Sequence, residues 1–105
     1  MFAITKNKGF HITFENGINV SVQFGGGNYC DNYDWKIAKH TCIIAPPSSN
    51  AEVMIWRYEN GKMDDKVGLN LLPFSLSDNS VKGWCTPEEL VEILNKVVKY
   101  NPNEH

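Results

Sequence analysis

The chain lacks the features that mark several large functional classes. It has no run of about eighteen apolar residues, and its opening stretch, MFAITKNKGF, has neither a long apolar run nor a small-residue cleavage site. Arginine occurs only once, as Arg57, and the net charge is −2, which argues against a groove for nucleic-acid phosphates. We therefore expect a cytoplasmic protein that binds neither a membrane nor a nucleic-acid polymer.

Cysteine and the usual catalytic motifs are also scarce. Three cysteines are an odd number and too few for a disulfide scaffold, so free thiols in a reducing compartment are expected. The sequence contains no C-x-x-C, H-x-x-x-H, G-x-S-x-G or H-E-x-x-H pattern. No catalytic residue, metal ligand or cofactor is assigned. A thiol- or metal-dependent enzyme built on Cys30 and His40 stays open as an alternative, because one sequence does not show whether these residues meet.

What is present indicates one small α+β domain over residues 1–105. With 42% apolar and 21% charged residues, the composition is that of a globular protein, and 105 residues suffice for one hydrophobic core. The predicted fold is a hairpin-rich antiparallel sheet of about four or five strands with one C-terminal helix packed on a face.

The segment FHITFENGINVSVQF predicts a hairpin, since apolar and polar residues alternate in both halves. A two-residue turn at Asn16 and Gly17 would set apolar residues opposite polar ones on one face. A three-residue loop, 15–17, keeps the faces consistent and places Gly17 where a positive φ is needed. The predicted pairs are Phe14 with Ile18, Ile12 with Val20 and Phe10 with Val22.

Further elements follow from the same patterns. Residues 51–58 predict a central strand that is apolar on both faces and so covered on both sides, with a second hairpin at residues 58–61. Residues 42–45 form a short apolar run before a loop at 46–50, and residues 62–80 fit either an edge strand or a packed loop. Thr86, Pro87 and Glu89 form a helix start, residues 90, 93, 94, 97 and 98 form its apolar stripe, and residues 101–102 end it.

The stretch FGGGNYCDNYDW, residues 24–35, is the most unusual in the chain. It is not a phosphate-binding loop, because no lysine with serine or threonine follows its glycines, and a dinucleotide fingerprint would need glycine at Cys30. Its donors also lack the spacing of a zinc or calcium site. The glycines predict a bulge, a sharp strand exit or a close backbone approach.

The rest of this stretch is aromatic and rich in amides, which is typical of a recognition loop at the surface. Aromatic faces beside amides and an arginine can stack on and hydrogen-bond a nucleotide base, and such rings are equally enriched at protein interfaces. For Trp56 and Trp84, a place in the core is the ordinary alternative. The predicted ligand-binding residues are Asn28, Tyr29, Cys30, Asp31, Asn32, Tyr33, Trp35, Trp56 and Arg57.

The runs FENGINVSVQFGGGNYCDN, AEVMIW and VKGWCTPEEL resemble a family of small proteins encoded by bacteriophages and prophages. The resemblance spans most of the chain and carries no assigned activity. It implies a factor acting in the host-cell cytoplasm, of the kind that counters host defence, and some such factors sequester nucleotide immune signals in homo-oligomers. The matching positions are 14, 16–17, 20–25, 27–30, 51–53 and 83–89.

Together these observations favour a non-catalytic, homo-oligomeric binding protein for a small nucleotide-type ligand. The strand that is apolar on both faces suggests the oligomer contact, since one helix covers only one side of a sheet. The alternatives are an inhibitor that binds a host enzyme through the same aromatic surface, and the thiol- or metal-dependent enzyme.

Overall fold

The computed structural model describes residues 1–5, 8–35, 45–64 and 81–101. These residues form a six-stranded antiparallel sheet and one C-terminal helix, which confirms the predicted α+β fold. Two strands, the first and the last, were not predicted. The elements are β1 (Phe2–Thr5), β2 (Gly9–Thr13), β3 (Asn19–Gln23), β4 (Ala51–Glu59), β5 (Lys62–Asp64), β6 (Val81–Cys85) and α1 (Pro87–Lys99).

The strands follow the order β1-β2-β3-β4, and the far edge of β4 is shared by two short strands. β6 pairs with the first half of β4 and β5 pairs with its last three residues. β4 is therefore central, as predicted. Within the described part of the chain, β1 forms one free edge of the sheet.

The first hairpin has the predicted register. Phe10 lies opposite Val22 and Ile12 opposite Val20, while the Phe14 amide donates to the Ile18 carbonyl at 2.9 Å. Gly17 has φ +87°, as the three-residue loop requires. Side-chain alternation thus selects this turn over the two-residue alternative.

The second hairpin, between β4 and β5, uses a different turn although it repeats the same Glu-Asn-Gly sequence. Glu59 lies opposite Lys62, so only Asn60 and Gly61 form the turn, with φ values of +53° and +78°. Two positive φ angles are the signature of a type I′ turn.

The core lies between the sheet and α1. Capping matches the prediction: the Glu89 amide donates to Thr86 Oγ1 at 3.2 Å, and the Thr86 amide donates to Glu89 Oε1 at 3.0 Å. One part of the predicted apolar stripe is wrong, because Val98 is 61% exposed at the flank of the helix. The buried core cluster consists of Ile18, Val20, Val22, Val53, Ile55, Cys85, Ile93 and Val97.

Coverage of β4 is one-sided in the described chain. Val53 and Ile55 are fully buried beneath α1, whereas Met54 and Trp56 on the opposite face are half-buried. The prediction that β4 is covered on both faces is thus confirmed for the face toward α1, while its other face is only partly covered by described residues. The predictions for residues 42–44 and 65–80 lie outside the described residues. No described helix is long and apolar enough to span a membrane.

Candidate functional site

The glycines after β3 let the chain turn back on itself closely. A Cβ on Gly26 would overlap the carbonyl oxygen of Trp35, and Gly27 has φ +83°. The Gly27 amide donates to the Tyr33 carbonyl at 2.9 Å, and the Trp35 amide donates to the Asn32 carbonyl at 2.8 Å. The close-approach interpretation is confirmed, and the result is a compact, internally bonded loop.

Glu52 on β4 fixes the start of this loop. Its carboxylate accepts from Asn28 Nδ2 at 3.3 Å and from the Tyr29 amide at 3.0 Å. Asn28 is buried, donates also to Gln23 Oε1, and accepts from the Gly25 amide at 3.0 Å. Hydrogen bonds to a charged acceptor are the stronger kind, so Glu52 holds the backbone of Tyr29 in one place.

Three more predicted site residues have structural roles within the loop. Asn32 Nδ2 donates to the carbonyls of Phe24 at 2.7 Å and Pro46 at 2.8 Å, which ties the loop to the next segment. Cys30 is 1% exposed, and its thiol lies 3.8 Å from the Gly25 carbonyl oxygen. The amide of Asp31 donates to Asn50 Oδ1 at 2.8 Å, whereas the Asp31 carboxylate is exposed.

Three aromatic rings lie together on the outside of the loop. Tyr29 is in the middle, with its centroid 6.0 Å from that of Tyr33 and 5.9 Å from that of Trp84, at interplanar angles of 14° and 13°. Each ring is about half exposed, at 49%, 48% and 50% respectively. Offset parallel rings at this separation attract one another. The group of Tyr29, Tyr33 and Trp84 is called the ring cluster below.

Trp84 reaches the ring cluster through a bulge in β6. Cys85 lies opposite Ala51 but Lys82 lies opposite Val53, so β6 carries one extra residue. Trp84 sits at this point with φ +47°, a strained conformation for a bulky residue, and its amide donates to the Tyr29 carbonyl at 2.8 Å. Gly83 is required beside it, because a Cβ there would lie 2.9 Å from the Tyr29 Cβ.

The ring cluster borders an open depression of about 390 Å³, lined also by Cys30, Asp31 and Asp34. This volume is within the range of small-molecule sites, roughly 300–1,000 Å³. Among the described residues that line it, two are carboxylates and none is a lysine or arginine. A smaller crevice of about 160 Å³ between the start of α1 and the 48–51 segment is too small for a nucleotide base with its sugar.

Trp56 and Arg57 are not part of this depression. They lie four and five positions beyond Glu52 on β4, at least about 13 Å along the strand. Arg57 Nε donates to Asp64 at 3.0 Å, and its other nitrogens lie 3.5 Å from Glu59 and 3.3 Å from the Tyr100 hydroxyl. The bond to Asp64 is the main reason that the pKa of Arg57 is raised above its ordinary value. Its guanidinium is thus engaged within the fold.

Trp56 lies on the sheet face away from α1. Its ring centroid is 5.9 Å from that of His11, and its buried indole N–H has no hydrogen-bond partner among the described residues. The single site that joined Trp56 and Arg57 to the loop is not assembled in the structure. The loop residues whose side chains remain available at the surface are Tyr29, Asp31, Tyr33 and Asp34.

The two described thiols are buried. Burial raises the pKa of Cys85 to about 11, with a smaller contribution from Glu89 that Lys82 opposes. A thiolate is the nucleophilic form, so neither burial nor pKa activates Cys85. No group of three potential metal ligands occurs among the described residues, and His40 and Cys42 lie outside them.

Sequence reasoning missed Gly83, Trp84 and Glu52 as parts of the site. For Trp84 the core was the ordinary alternative, and the available signal is Gly83, because a glycine inside a strand often marks a bulge or a close backbone approach. Glu52 is one residue of the predicted 51–58 strand, and nothing in the strand pattern sets it apart. Its link to the loop depends on a contact between distant segments and has no local sequence signal.

Comparison of the chain with protein families, with curated proteins and with solved structures finds no match.

Proposed function

We propose that the chain is a non-catalytic binding protein and that the ring cluster is its recognition surface. The supporting observation is the arrangement of Tyr29, Tyr33 and Trp84, three near-parallel and half-exposed rings. They are held by a hydrogen-bonded loop and by a strained residue, and strain of this kind accumulates at functional sites. Apolar residues scattered singly over a surface are ordinary, whereas three exposed rings side by side form a patch of the kind that marks interaction sites.

The proposed ligand is of the nucleotide type and is recognised through its base. A flat ring can stack on the outer faces of Tyr33 or Trp84, at about 1–3 kcal/mol per base. Asp31 and Asp34 lie where a phosphate would be repelled, so the phosphate points away from the depression. In a phage setting, as the sequence resemblance implies, the ligand would be a nucleotide immune signal that the protein sequesters.

Binding to a host protein is the second candidate. The depression is open rather than enclosed, and exposed tyrosine and tryptophan side chains are enriched at protein interfaces. The carboxylates of Asp31 and Asp34 would match a basic patch on such a partner.

A titration of nucleosides and nucleotides by isothermal calorimetry tests the proposal. Adenosine, AMP and ADP-ribose are compared on the wild-type chain and on Tyr33→Ala and Tyr58→Ala variants. Tyr58 is the matched control, because it is also exposed but lies on β4 outside the ring cluster. Tyr33→Ala is expected to weaken binding roughly 5- to 150-fold, the equivalent of one stacking contact, while Tyr58→Ala has little effect.

Two results would decide against the nucleotide proposal. Equal binding by Tyr33→Ala and the wild type would remove the ring cluster as the site. No binding by any compound, together with a host protein that is retained by the wild type and lost with Tyr33→Ala, would establish the protein-inhibitor candidate instead.

A further inference from the structure

Apolar rows on the helix face of the sheet continue past the area that α1 covers. Ile4, Phe10, Val22 and Val53 occupy one cross-strand row, and their burial falls from β4 toward β1. Val53 is fully buried and Phe10 half-buried, whereas Ile4 is 83% exposed. The neighbouring row, of Phe2, Ile12, Val20 and Ile55, ends in the same way with Phe2 at 79% exposure.

Both exposed residues also carry the unpaired backbone groups of this edge. Met1 and Thr13 exchange two hydrogen bonds of 2.8 Å, so they are a hydrogen-bonded pair of the β1–β2 ladder. Because such pairs alternate in an antiparallel ladder, Ala3 also bonds toward β2, and the amides and carbonyls of Phe2 and Ile4 point outward.

Nothing in β1 protects this edge. Natural sheets guard free edges with charged side chains, proline or bulges, and the strand Phe-Ala-Ile-Thr has none of them. Two outward donors, two outward acceptors and two large apolar side chains thus lie on one short strand. This combination favours pairing with another strand over exposure to water.

We propose that β1 pairs with β1 of a second copy of this chain, antiparallel and with the two-fold axis at Ala3. In this register Phe2 lies opposite the partner's Ile4, and Ile4 lies opposite the partner's Phe2. The outward groups of each residue then meet complementary groups, which gives two hydrogen-bonded pairs of two bonds each.

The register is self-complementary in its side chains as well. The axis is perpendicular to the sheet, so both helices lie on the same side and both Phe2 and Ile4 side chains meet there. An aromatic residue opposite a β-branched one is a favourable cross-strand pair. On the axis itself the two copies present only Ala3, whose small side chain faces the opposite side. A second copy is thus matched in hydrogen bonds, shape and polarity, as an isologous interface requires.

The size of the contact sets its strength. Even complete burial of Phe2 and Ile4 in both copies, at about 150 Å² for each side chain, would contribute no more than roughly 600 Å². Stable interfaces bury at least about 1,200 Å². The expected association is therefore weak, with a dissociation constant between about 1 µM and about 1 mM.

Sedimentation velocity of the untagged chain from about 1 µM to about 1 mM tests this interface. The fraction of wild-type chain that is dimeric is expected to rise across the range. An Ile4→Lys variant, which places a charge on the free edge, is expected to stay monomeric. Met63→Lys is the control, since Met63 is 53% exposed on β5 at the other side of the sheet, and this variant should dimerise like the wild type.

Amide hydrogen exchange reports on the backbone pairing directly. The amides of Phe2 and Ile4 are expected to exchange rapidly at low concentration and to gain protection at high concentration, while the Ala3 amide is protected at both. A wild-type monomer throughout the range, or a dimer that Ile4→Lys leaves intact, would overturn the proposal. So would a dimer in which the Phe2 and Ile4 amides gain no protection.

Discussion

Replacing Trp84 by glycine and by alanine tests the strained bulge that carries one ring of the site. Trp84 has φ +47°, a region that glycine enters freely and that costs other residues about 1–2 kcal/mol. Both replacements remove the indole and its contact with Tyr29. They differ only in the Cβ, so their difference in stability isolates the backbone conformation.

The expected order of stability of the two variants is the reverse of the order found in a regular strand. In a regular strand, glycine is less stable than alanine by roughly 0.5–1 kcal/mol. At position 84, glycine relieves about 1–2 kcal/mol of backbone strain, which outweighs its larger loss of conformational entropy on folding. The free energy of unfolding of Trp84→Gly should therefore exceed that of Trp84→Ala by about 0.5–1 kcal/mol. For a domain of this size, 1 kcal/mol corresponds to about 4–8 °C in the thermal midpoint.

Urea denaturation and thermal unfolding of both variants measure this difference. Met63 on β5 supplies the control, because it is exposed on a strand and is not among the described residues with positive φ. Met63→Ala should be more stable than Met63→Gly. If Trp84→Ala is as stable as Trp84→Gly, or more stable, residue 84 does not hold a positive φ in solution, and the inferred bulge is wrong.

Three more measurements test other parts of the fold. Asn16→Gly should cost about 1–3 kcal/mol in unfolding experiments, because its side chain donates to two carbonyls at the end of α1 at 2.7 and 3.1 Å, whereas Asn60→Gly should be nearly neutral at φ +53°. Alkylation at pH 8, mapped by mass spectrometry, should leave Cys30 and Cys85 unmodified until the chain unfolds, because both thiols are buried and the pKa of Cys85 is about 11. Rapid labelling of either cysteine in the folded chain would contradict this expectation. The hydrogen bond from the cap amide lowers the pKa of Glu89 in the folded state, so its stabilisation is present above the unfolded pKa of about 4.3 and is lost as the pH falls through the folded value. The difference in unfolding free energy between wild type and Glu89→Gln should therefore shrink from pH 6 to pH 3. A difference that stays constant would refute the role of the Glu89 carboxylate.

The parts of the fold that sequence predicted well are governed by local periodicity. In the first hairpin, alternation leaves one register in which both strands face the core, and the structure has that register. The helix start at Thr86 follows from side-chain groups that satisfy amides within one turn. Such features need no knowledge of the rest of the chain.

The two strands that sequence did not predict, β1 and β6, lack a clear local periodicity, each for a different reason. β1 is only four residues long, which is too short for a clear alternating pattern. Its apolar residues Phe2 and Ile4 are exposed, so they do not follow the rule that apolar residues of a strand face the core. β6 contains Gly83 and an extra residue at Trp84, so its alternation is interrupted within five residues. In both cases pairing with a neighbouring strand decides the structure, and that partner is not visible in a local pattern.

The site shows the same division. The polar and aromatic character of residues 28–35 correctly predicted a surface loop, since buried loops leave backbone groups unsatisfied. Sequence did not separate the residues that build the loop, such as Asn28 and Asn32, from those that present their rings, such as Tyr29 and Tyr33. That separation depends on which side chains find internal partners, and it needed Glu52 and Trp84 from later strands.

The two proposed surfaces are independent of each other, which makes the tests separable. In the row of Ile4, the path from β1 to β6 crosses four strand spacings, or about 19 Å. The ring cluster in a dimer therefore keeps its own depression, and one ligand per chain is expected with or without Ile4→Lys. Dimerisation would matter for a target that presents two binding epitopes, because the second contact becomes intramolecular. A host protein with such symmetry should lose affinity with Ile4→Lys, whereas a free nucleotide should not.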